Sequence, residues 1–195
     1  MKRTLPYLVA AAGAVAVIIF VVTLVGALWY SPQNEIAAPF AATVPSDPPT
    51  RLIIPAINLN VHVQQAGLIA GNRMAAPTNF TDVAWYKYGP APGMLGSAVI
   101  AGHLDNGLGL TGVFKNLKEL KVGDDIQVLT ATGTTLHFTV EKLVAYPYDQ
   151  VPASIFTDND KARLNLITCA GKWIKTPALG WTIDHRLIVY ATLNS

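Results

Sequence analysis

Apolar positions follow two regimes along the chain. From Leu5 to Trp29 there are 25 residues without a charge. As a helix rising about 1.5 Å per residue, that run spans about 37 Å, enough for a hydrocarbon core of about 30 Å. A cleaved signal peptide, with an apolar region of about 7–15 residues, is a poorer fit; the small residues Ala37–Ala42 that would suit a peptidase lie late. The pattern predicts a transmembrane signal-anchor over residues 1–30. Lys2 and Arg3 set its N-terminus on the cytoplasmic side, and Trp29 and Tyr30 serve as its interfacial aromatics.

Residues 31–49 carry Pro32, Pro39, Pro45, Pro48 and Pro49, which block regular helix and sheet and predict a semi-extended linker. Beyond it, over residues 50–195, the period changes to that of strands. Arg51–Pro55 is a short β-branched run and Val61–Gln64 alternates. Ala98–Ala101 is apolar and ends at Gly102, and Ile126–Thr130 follows Gly123-Asp124-Asp125. Leu136, Phe138 and Val140 alternate with His137, Thr139 and Glu141, as in a half-buried strand. Leu164–Thr168 and Leu187–Leu193 complete the set. Seven or eight short strands with Gly/Pro turns predict a closed barrel or a sandwich. Short helices are expected at Gly112–Leu120 and Pro152–Phe156.

Composition sharpens this division. Only 13% of the 195 residues are charged, about half the usual share, and charge stays sparse beyond the first thirty, at 24 of 165 residues. Residues 31–195 carry 12 basic and 12 acidic side chains, which leaves no electrostatic footprint for nucleic acid. A single cysteine excludes an internal disulfide framework and a multi-thiolate zinc site.

That cysteine, Cys169, ends the apolar strand and is followed by Ala170-Gly171. A lone cysteine there is either an inert buried thiol or a nucleophile, and the second needs a base or a cation beside it. His103 follows the strand Ala98–Ala101 directly, where a side chain projects from a barrel rim. Arg186 opens the last strand and supplies a fixed cation. The other histidines carry less: His62 and His137 fall on surface strand positions, and His185 points away from Arg186. No histidine pair has metal-ligand spacing.

Three segments taken together, Ala101-Gly102-His103-Leu104-Asp105, Leu166-Ile167-Thr168-Cys169 and Arg186-Leu187-Ile188-Val189-Tyr190-Ala191, resemble the signature segments of sortases. Val113-Phe114-Lys115-Asn116-Leu117 and Leu120-Lys121-Val122-Gly123-Asp124 match the run that follows the family's histidine. The resemblance covers residues 51–193. It is nearest to class F, on Trp85-Tyr86, Ala101-Gly102-His103 and Val189-Tyr190-Ala191. One departure is Asn165, where the family often has the first threonine of Thr-Leu-x-Thr-Cys. The loop between Cys169 and Arg186, with Trp173, Pro177 and Trp181, varies too much among sortases to be placed.

The resemblance implies an all-β, eight-stranded barrel with short helices, carried outside the bacterial cell membrane by the single N-terminal helix in the bilayer. It implies a thiol transpeptidase that needs no metal or organic cofactor. Cys169 would attack the Thr–Gly carbonyl of a C-terminal sorting signal resembling Leu-Pro-x-Thr-Gly and form a thioester. His103 would protonate the departing amine and deprotonate the incoming one. Arg186 would hold substrate and stabilise the oxyanion, and Thr168 is expected to contact substrate or assist there. The partners are the signal-bearing protein and an amine acceptor, either a cell-wall precursor or a pilin lysine.

Two questions stay open at this level. With ordinary acidities near 8.5 and 6.5, the thiolate–imidazolium pair is only about 1% of the neutral pair, so either the site reverses that order or it works from a minor population. The segment Tyr146–Asp160, with Tyr148, Pro152, Ile155 and Phe156, either packs against the Leu-Pro part of a signal or closes a barrel end. The rival from another class is a non-catalytic, membrane-tethered barrel that binds wall polymer or protein. A papain-like protease is disfavoured because His103 precedes Cys169, and an L,D-transpeptidase because Cys169-Ala170 lacks that family's Cys-Arg.

Overall fold

The computed structural model describes residues 5–31, 33–36, 45–107 and 109–194, with the side chains of the first helix described from Val15 onward. Lys2, Arg3, Pro32, Pro39 and the small residues Ala37–Ala42 lie outside the described residues. Helix α1 covers Leu5–Trp29. Among the described residues no helix is long and apolar enough to cross a membrane, so the expected span is not established by the described part of α1.

The remainder is a closed barrel. In chain order its strands are β1 (Pro49–Ile54), β2 (Leu59–Ala66), β5 (Val83–Tyr86), β6 (Gly96–Gly102), β7 (Asp125–Thr130), β8 (Thr135–Pro147), β9 (Ala162–Thr176) and β10 (Gly180–Leu193). Between β2 and β5 lies a small hairpin of β3 (Leu68–Ile69) and β4 (Arg73–Met74). Around the barrel the order is β1-β2-β5-β6-β9-β10-β8-β7. Closure leaves no unpaired edge in the barrel, which removes the aggregation hazard of open sheets.

Alternation decides which side chains fill it. In β7, Ile126 and Val128 are fully buried while Asp125 and Gln127 between them are not, and in β8 Phe138 and Val140 point inward in the same way. They join Leu52, Ile54, Trp85, Ile100, Leu164, Leu166 and Val189 in one core. Each such side chain contributes about 1.5–3 kcal/mol by leaving water. Truncating Phe138 to alanine would cost about 3–5 kcal/mol.

All seven strand segments read from the sequence are present, several of them longer. β5 was missed because Val83, Ala84 and Trp85 are all buried, so no alternation marks it. The helix expected over Gly112–Leu120 reduces to a 3₁₀ turn at Leu117–Glu119. The N–H groups of Gly112, Val113 and Phe114 go to the carbonyls of Leu104, Phe80 and His103, and those of Lys115, Leu117, Glu119 and Leu120 reach back three residues rather than four, as in 3₁₀ turns. The second expected helix is the single turn α2 (Ser154–Thr157). The gap between Cys169 and Arg186, read as loop, is a β-hairpin built from the extensions of β9 and β10. Trp173 and Trp181 on it are 45% and 67% exposed, so backbone pairing rather than burial forms it.

The start of the segment read as a spacer is docked on the barrel. The Ser31 N–H donates to the Thr78 carbonyl at 2.5 Å and that of Ile36 to Leu68 at 2.6 Å. The Glu35 carboxylate accepts from the Gly67 N–H and from Lys87 Nζ, both at 2.7 Å.

Candidate active site

Three neighbouring strands bring the candidate residues level. β6 runs parallel to β9 with Ala101 opposite Ile167. Two residues further along each strand, that register sets His103 beside Cys169. β10 runs antiparallel to β9, and Arg186 is the direct partner of Cys169. With strands about 4.8 Å apart, residues 103, 169 and 186 form one row across the wall.

Alternation along β9 settles which way the row faces. Leu164, Leu166 and Thr168 are buried toward the core, so Asn165, Ile167 and Cys169 face outward. Thr168 is thus on the opposite face from Cys169, 3% exposed, its hydroxyl without a partner among the described residues.

His103 is held on several sides. Its Nε2 lies 2.9 Å from the Pro77 carbonyl. That oxygen can only accept, so Nε2 carries the hydrogen and Nδ1 is the nitrogen left for proton transfer. The Phe80 ring lies against the imidazole at 4.4 Å between centroids, and the His103 carbonyl accepts from Phe114 N–H at 2.9 Å. Gly112 passes so close that a Cβ there would fall on the His103 carbonyl; only glycine allows this approach.

Arg186 is anchored by its own strand. Nη1 donates to the carbonyls of Ile183 at 2.7 Å and His185 at 2.9 Å, and Nη2 donates to Thr182 Oγ1 at 3.0 Å. A guanidinium has five N–H donors. Three are used here, and Nε–H and one Nη2 hydrogen have no acceptor among the described residues.

Burial pushes the pKa of the Cys169 thiol above its ordinary value; Arg186 pulls it down and Asp105 pushes it up further, with a net rise. Burial also lowers His103, against the opposing effect of the Pro77 bond. Both shifts widen the usual gap, so the resting pair is thiol and imidazole, and the thiolate–imidazolium form is a minor population.

The segment Tyr146–Asp160 covers the outer wall beside this row. Ile155 is buried and packs with Phe156 and Val151 against Ile167, Ile188 and Tyr190, which share the outward face of Cys169 and Arg186. Phe156 also meets Tyr86 edge-on at 5.6 Å. Asn165 holds the cover in place: its Nδ2 donates to the Ile155 carbonyl at 2.7 Å, and the residue is 1% exposed.

The other histidines lie apart from the row. His62 pairs with Asp82 at 3.6 Å, His137 with Asp125 at 3.1 Å and His185 with Asp184 at 3.0 Å, all at exposed positions. Among the described residues no three His, Cys, Asp or Glu side chains are grouped to hold a metal ion. Sequence reasoning did not identify Pro77, Phe80 or Thr182 as supports. Two act through a backbone carbonyl or a ring face, and the third through a hydroxyl in the misread hairpin. Asp105 stood inside the quoted motif and was not singled out.

A thiol, an imidazole and a guanidinium level on the outer wall of a closed eight-stranded barrel define a compact class of protein. The sortase domain matches residues 52–194, and the chain belongs to the sortase family. Among solved structures it is similar to sortase C1 of Streptococcus agalactiae, with 24% identity and TM-score 0.55 over 74% of this chain and 66% of that one. It is also similar to a Clostridium perfringens sortase D5 transpeptidase, with 17% identity and TM-score 0.57 over 76% and 79%. Sortase A from Corynebacterium diphtheriae gives 22% identity and TM-score 0.56 over 80% and 63%. At these identities the likeness is one of fold. The chain spans about two thirds of the length of the streptococcal structure. No curated protein matches the sequence.

Proposed function

We propose that the protein is a sortase-type cysteine transpeptidase. The observation that carries this reading is the row of residues 103, 169 and 186 on the outward face of the barrel wall. The thiolate of Cys169 attacks the Thr–Gly carbonyl of a Leu-Pro-x-Thr-Gly-like signal. The oxyanion that develops is met by the two Arg186 hydrogens its own strand does not use. His103, as imidazolium, gives the proton on Nδ1 to the departing amine, and the bond to carbon breaks to leave a Cys169 thioester. The incoming amine then attacks that carbonyl and passes its proton back to His103. Thr168, with its hydroxyl facing the core, acts as packing under Cys169, and any contact with substrate at this position runs through its backbone. The acyl part of the signal lies along the Ile155–Phe156 cover.

The same reading places the protein at the bacterial cell membrane, N-terminus inside. Residues 5–29 carry no charge, α1 is helical throughout them, and Val17, Ile18, Phe20, Val22 and Leu24 are more than half exposed. Such a stretch needs an apolar surround. Within the family, Trp85-Tyr86 and the closing Val189-Tyr190-Ala191 favour class F.

The test incubates the full chain in detergent with a Leu-Pro-x-Thr-Gly peptide library and several amines. Cleavage or transfer that disappears with Cys169→Ala supports the reading; activity persisting in that variant rejects the nucleophile. A non-catalytic barrel predicts instead that the thiol resists alkylation and that His103 and Arg186 are dispensable. Carbonate extraction of membranes tests the anchor, and release of the protein into the wash rejects it.

A further inference from the structure

The β9–β10 hairpin runs on past Cys169 and Arg186 and carries two large rings into solvent. Trp173 and Trp181 are both exposed. Trp181 pairs across the hairpin with Lys175 and Trp173 with Ile183, so both indoles and Lys175 stand on one face of the ribbon. From Gly171 to Ile183 the chain holds two lysines and no acidic residue. Exposed indoles forgo the gain of leaving water, and indole with lysine is the composition of a membrane–water interface.

Topology sets this face beside the end of α1. β6 and β9 run parallel and finish at the end of the barrel that bears His103 and the hairpin. β10 returns from there until Leu193 meets Phe138, and β1 begins with Pro49 opposite Thr130. The turn at residues 131–134 therefore marks the far end, and Pro55–Asn58, where β1 finishes, lies at the hairpin end. Trp29, the last residue of α1, lines a cavity with Asn58, Phe80, Thr111 and Val113. Thr111 also lines the cavity that holds Lys115, Lys118 and Trp173, and a Cβ on Gly107 would lie 3.1 Å from the Trp173 ring. One surface thus leads from Trp29 to the hairpin.

The chain leaves no slack between α1 and that surface. Tyr30 bridges to Asn79, and the Ser31 N–H donates to the Thr78 carbonyl. The α1 side chains from Val15 to Trp29 are exposed, so the helix leaves the barrel rather than lying along it. One residue of chain spans only about 3.3–3.6 Å. Where the end of α1 meets the bilayer surface, this end of the barrel meets it too.

Resting on the membrane-anchored reading of α1, we propose that the Trp173–Trp181 face of the hairpin is a second membrane contact. Its two indoles sit in the headgroup layer of an anionic bilayer, and Lys175 beside them meets lipid phosphate. The nearby carboxylates are turned to protein: Asp184 to His185 and the Lys172 N–H, and Asp105 to the Gly107 N–H. The hairpin tip presents positive charge alone. A single helix would leave the barrel free to swing, whereas two contacts fix its orientation and hold residues 103, 169 and 186 at a set height above the lipid.

The test places the full chain, as Cys169→Ala with one new cysteine bearing a nitroxide label, in nanodiscs of phosphatidylcholine and phosphatidylglycerol. Ala178→Cys marks the exposed hairpin tip and Ala131→Cys the exposed turn at the far end. Oxygen partitions into lipid and a nickel chelate stays in water. The ratio of oxygen to nickel collisions is expected to be several-fold higher at 178 than at 131. Trp173→Ser/Trp181→Ser should return 178 to the value at 131, and Lys172→Glu/Lys175→Glu, which touches neither ring, should lower it in the same discs. Equal ratios at 178 and 131, or a difference unmoved by both double variants, overturn the proposal. Shielding of 178 from both reagents, only in discs holding two copies, assigns the face to a second copy and overturns it equally. Carbonate extraction keeps the two readings apart. A chain retained in the membrane with an aqueous 178 loses the hairpin contact alone; a chain that washes out loses the anchor and this contact with it. None of these measurements needs turnover, so the transpeptidase reading stands or falls separately.

Discussion

Cys169 and Arg186 are direct cross-strand partners on β9 and β10, and the guanidinium reaches the thiol's face already tied to three oxygens of its own strand. Arginine satisfies that anchorage and still presents two donors. Lysine has three donors on one nitrogen and cannot serve both tasks. Arg186→Lys is therefore expected to lose nearly as much as Arg186→Ala, about 10²–10³-fold in kcat for cleavage of a signal peptide. Thr182→Val, which removes one anchor, should lose far less. Retention of activity in Arg186→Lys would show that charge alone suffices there.

The shifts at Cys169 and His103 set the pH profile. Catalysis uses the pair carrying one proton, whichever group holds it. The acidic limb of kcat/KM follows the lower pKa, that of His103, which burial moves below the ordinary value of about 6.5. The alkaline limb follows Cys169, moved above its ordinary value of about 8.5 by burial and Asp105 against the pull of Arg186. A bell wider than those two values is expected. Asp105→Asn should draw the alkaline limb down, and a bell narrower than the ordinary pair would contradict the site's geometry.

Asn165 gives the cover over the outer wall its attachment. Its Nδ2 bond to the Ile155 carbonyl is buried and short, at 2.7 Å, while its Oδ1 has no partner among the described residues. Asn165→Leu leaves the Ile155 carbonyl unsatisfied and should cost about 1–3 kcal/mol, read by urea unfolding. With the acyl half of the signal laid along α2 as proposed, KM for the signal peptide should rise more than kcat falls. An unchanged KM would separate the cover from signal binding.

Gly171 lies two residues beyond Cys169 in the irregular part of the β9–β10 pairing, where the register shifts between Ile183 and His185. Its φ is +97°, and a Cβ there would collide with Asp184 Oδ1. That same oxygen accepts the Lys172 N–H at 3.0 Å. Gly171→Ala should cost about 1–3 kcal/mol and disturb the alignment of Cys169 with Arg186. The expected signature is a fall in kcat exceeding that of Thr182→Val, together with a lower Tm; wild-type values for both would count against it.

The row was legible because each member adjoins a short run whose apolar pattern is plain. Val99-Ile100-Ala101 leads to His103, Leu166-Ile167 leads to Cys169, and Leu187 to Val189 follow Arg186. What holds the row was not legible. Pro77 acts through its carbonyl, Phe80 through a ring face, and Gly112 by lacking a side chain, and none of these leaves a periodic trace. β5 was hidden because Val83, Ala84 and Trp85 are all buried, and the β9–β10 hairpin because its buried positions, Thr176, Thr182 and Ile183, follow no alternating pattern. Asn165 was visible only as a departure from a motif, and its use depends on a carbonyl ten residues earlier in the chain.

The docked segment after α1 carries the last prediction. Burial raises the pKa of Glu35, but the Lys87 hydrogen bond, the Gly67 N–H and the Lys87 charge outweigh it, and the net shift is downward. A carboxyl lowered in the folded state contributes stability that is present above its unfolded value, near 4.3, and lost as pH falls through the folded one. The clip is therefore closed at neutral pH and opens in acid. The same segment grips Thr78 through Ser31, next to the Pro77 carbonyl that orients His103, so its release reaches the imidazole. In the full chain, Glu35→Gln should speed hydrogen exchange at the Ser31 and Ile36 amides at pH 7 and lower kcat more than it raises KM. Wild type should lose the same protection, measured against the intrinsic exchange rate at each pH, only below the ordinary carboxylate range. If exchange at those two amides is unchanged in Glu35→Gln, the segment is held by its backbone bonds alone, and the link from α1 to His103 does not run through Glu35.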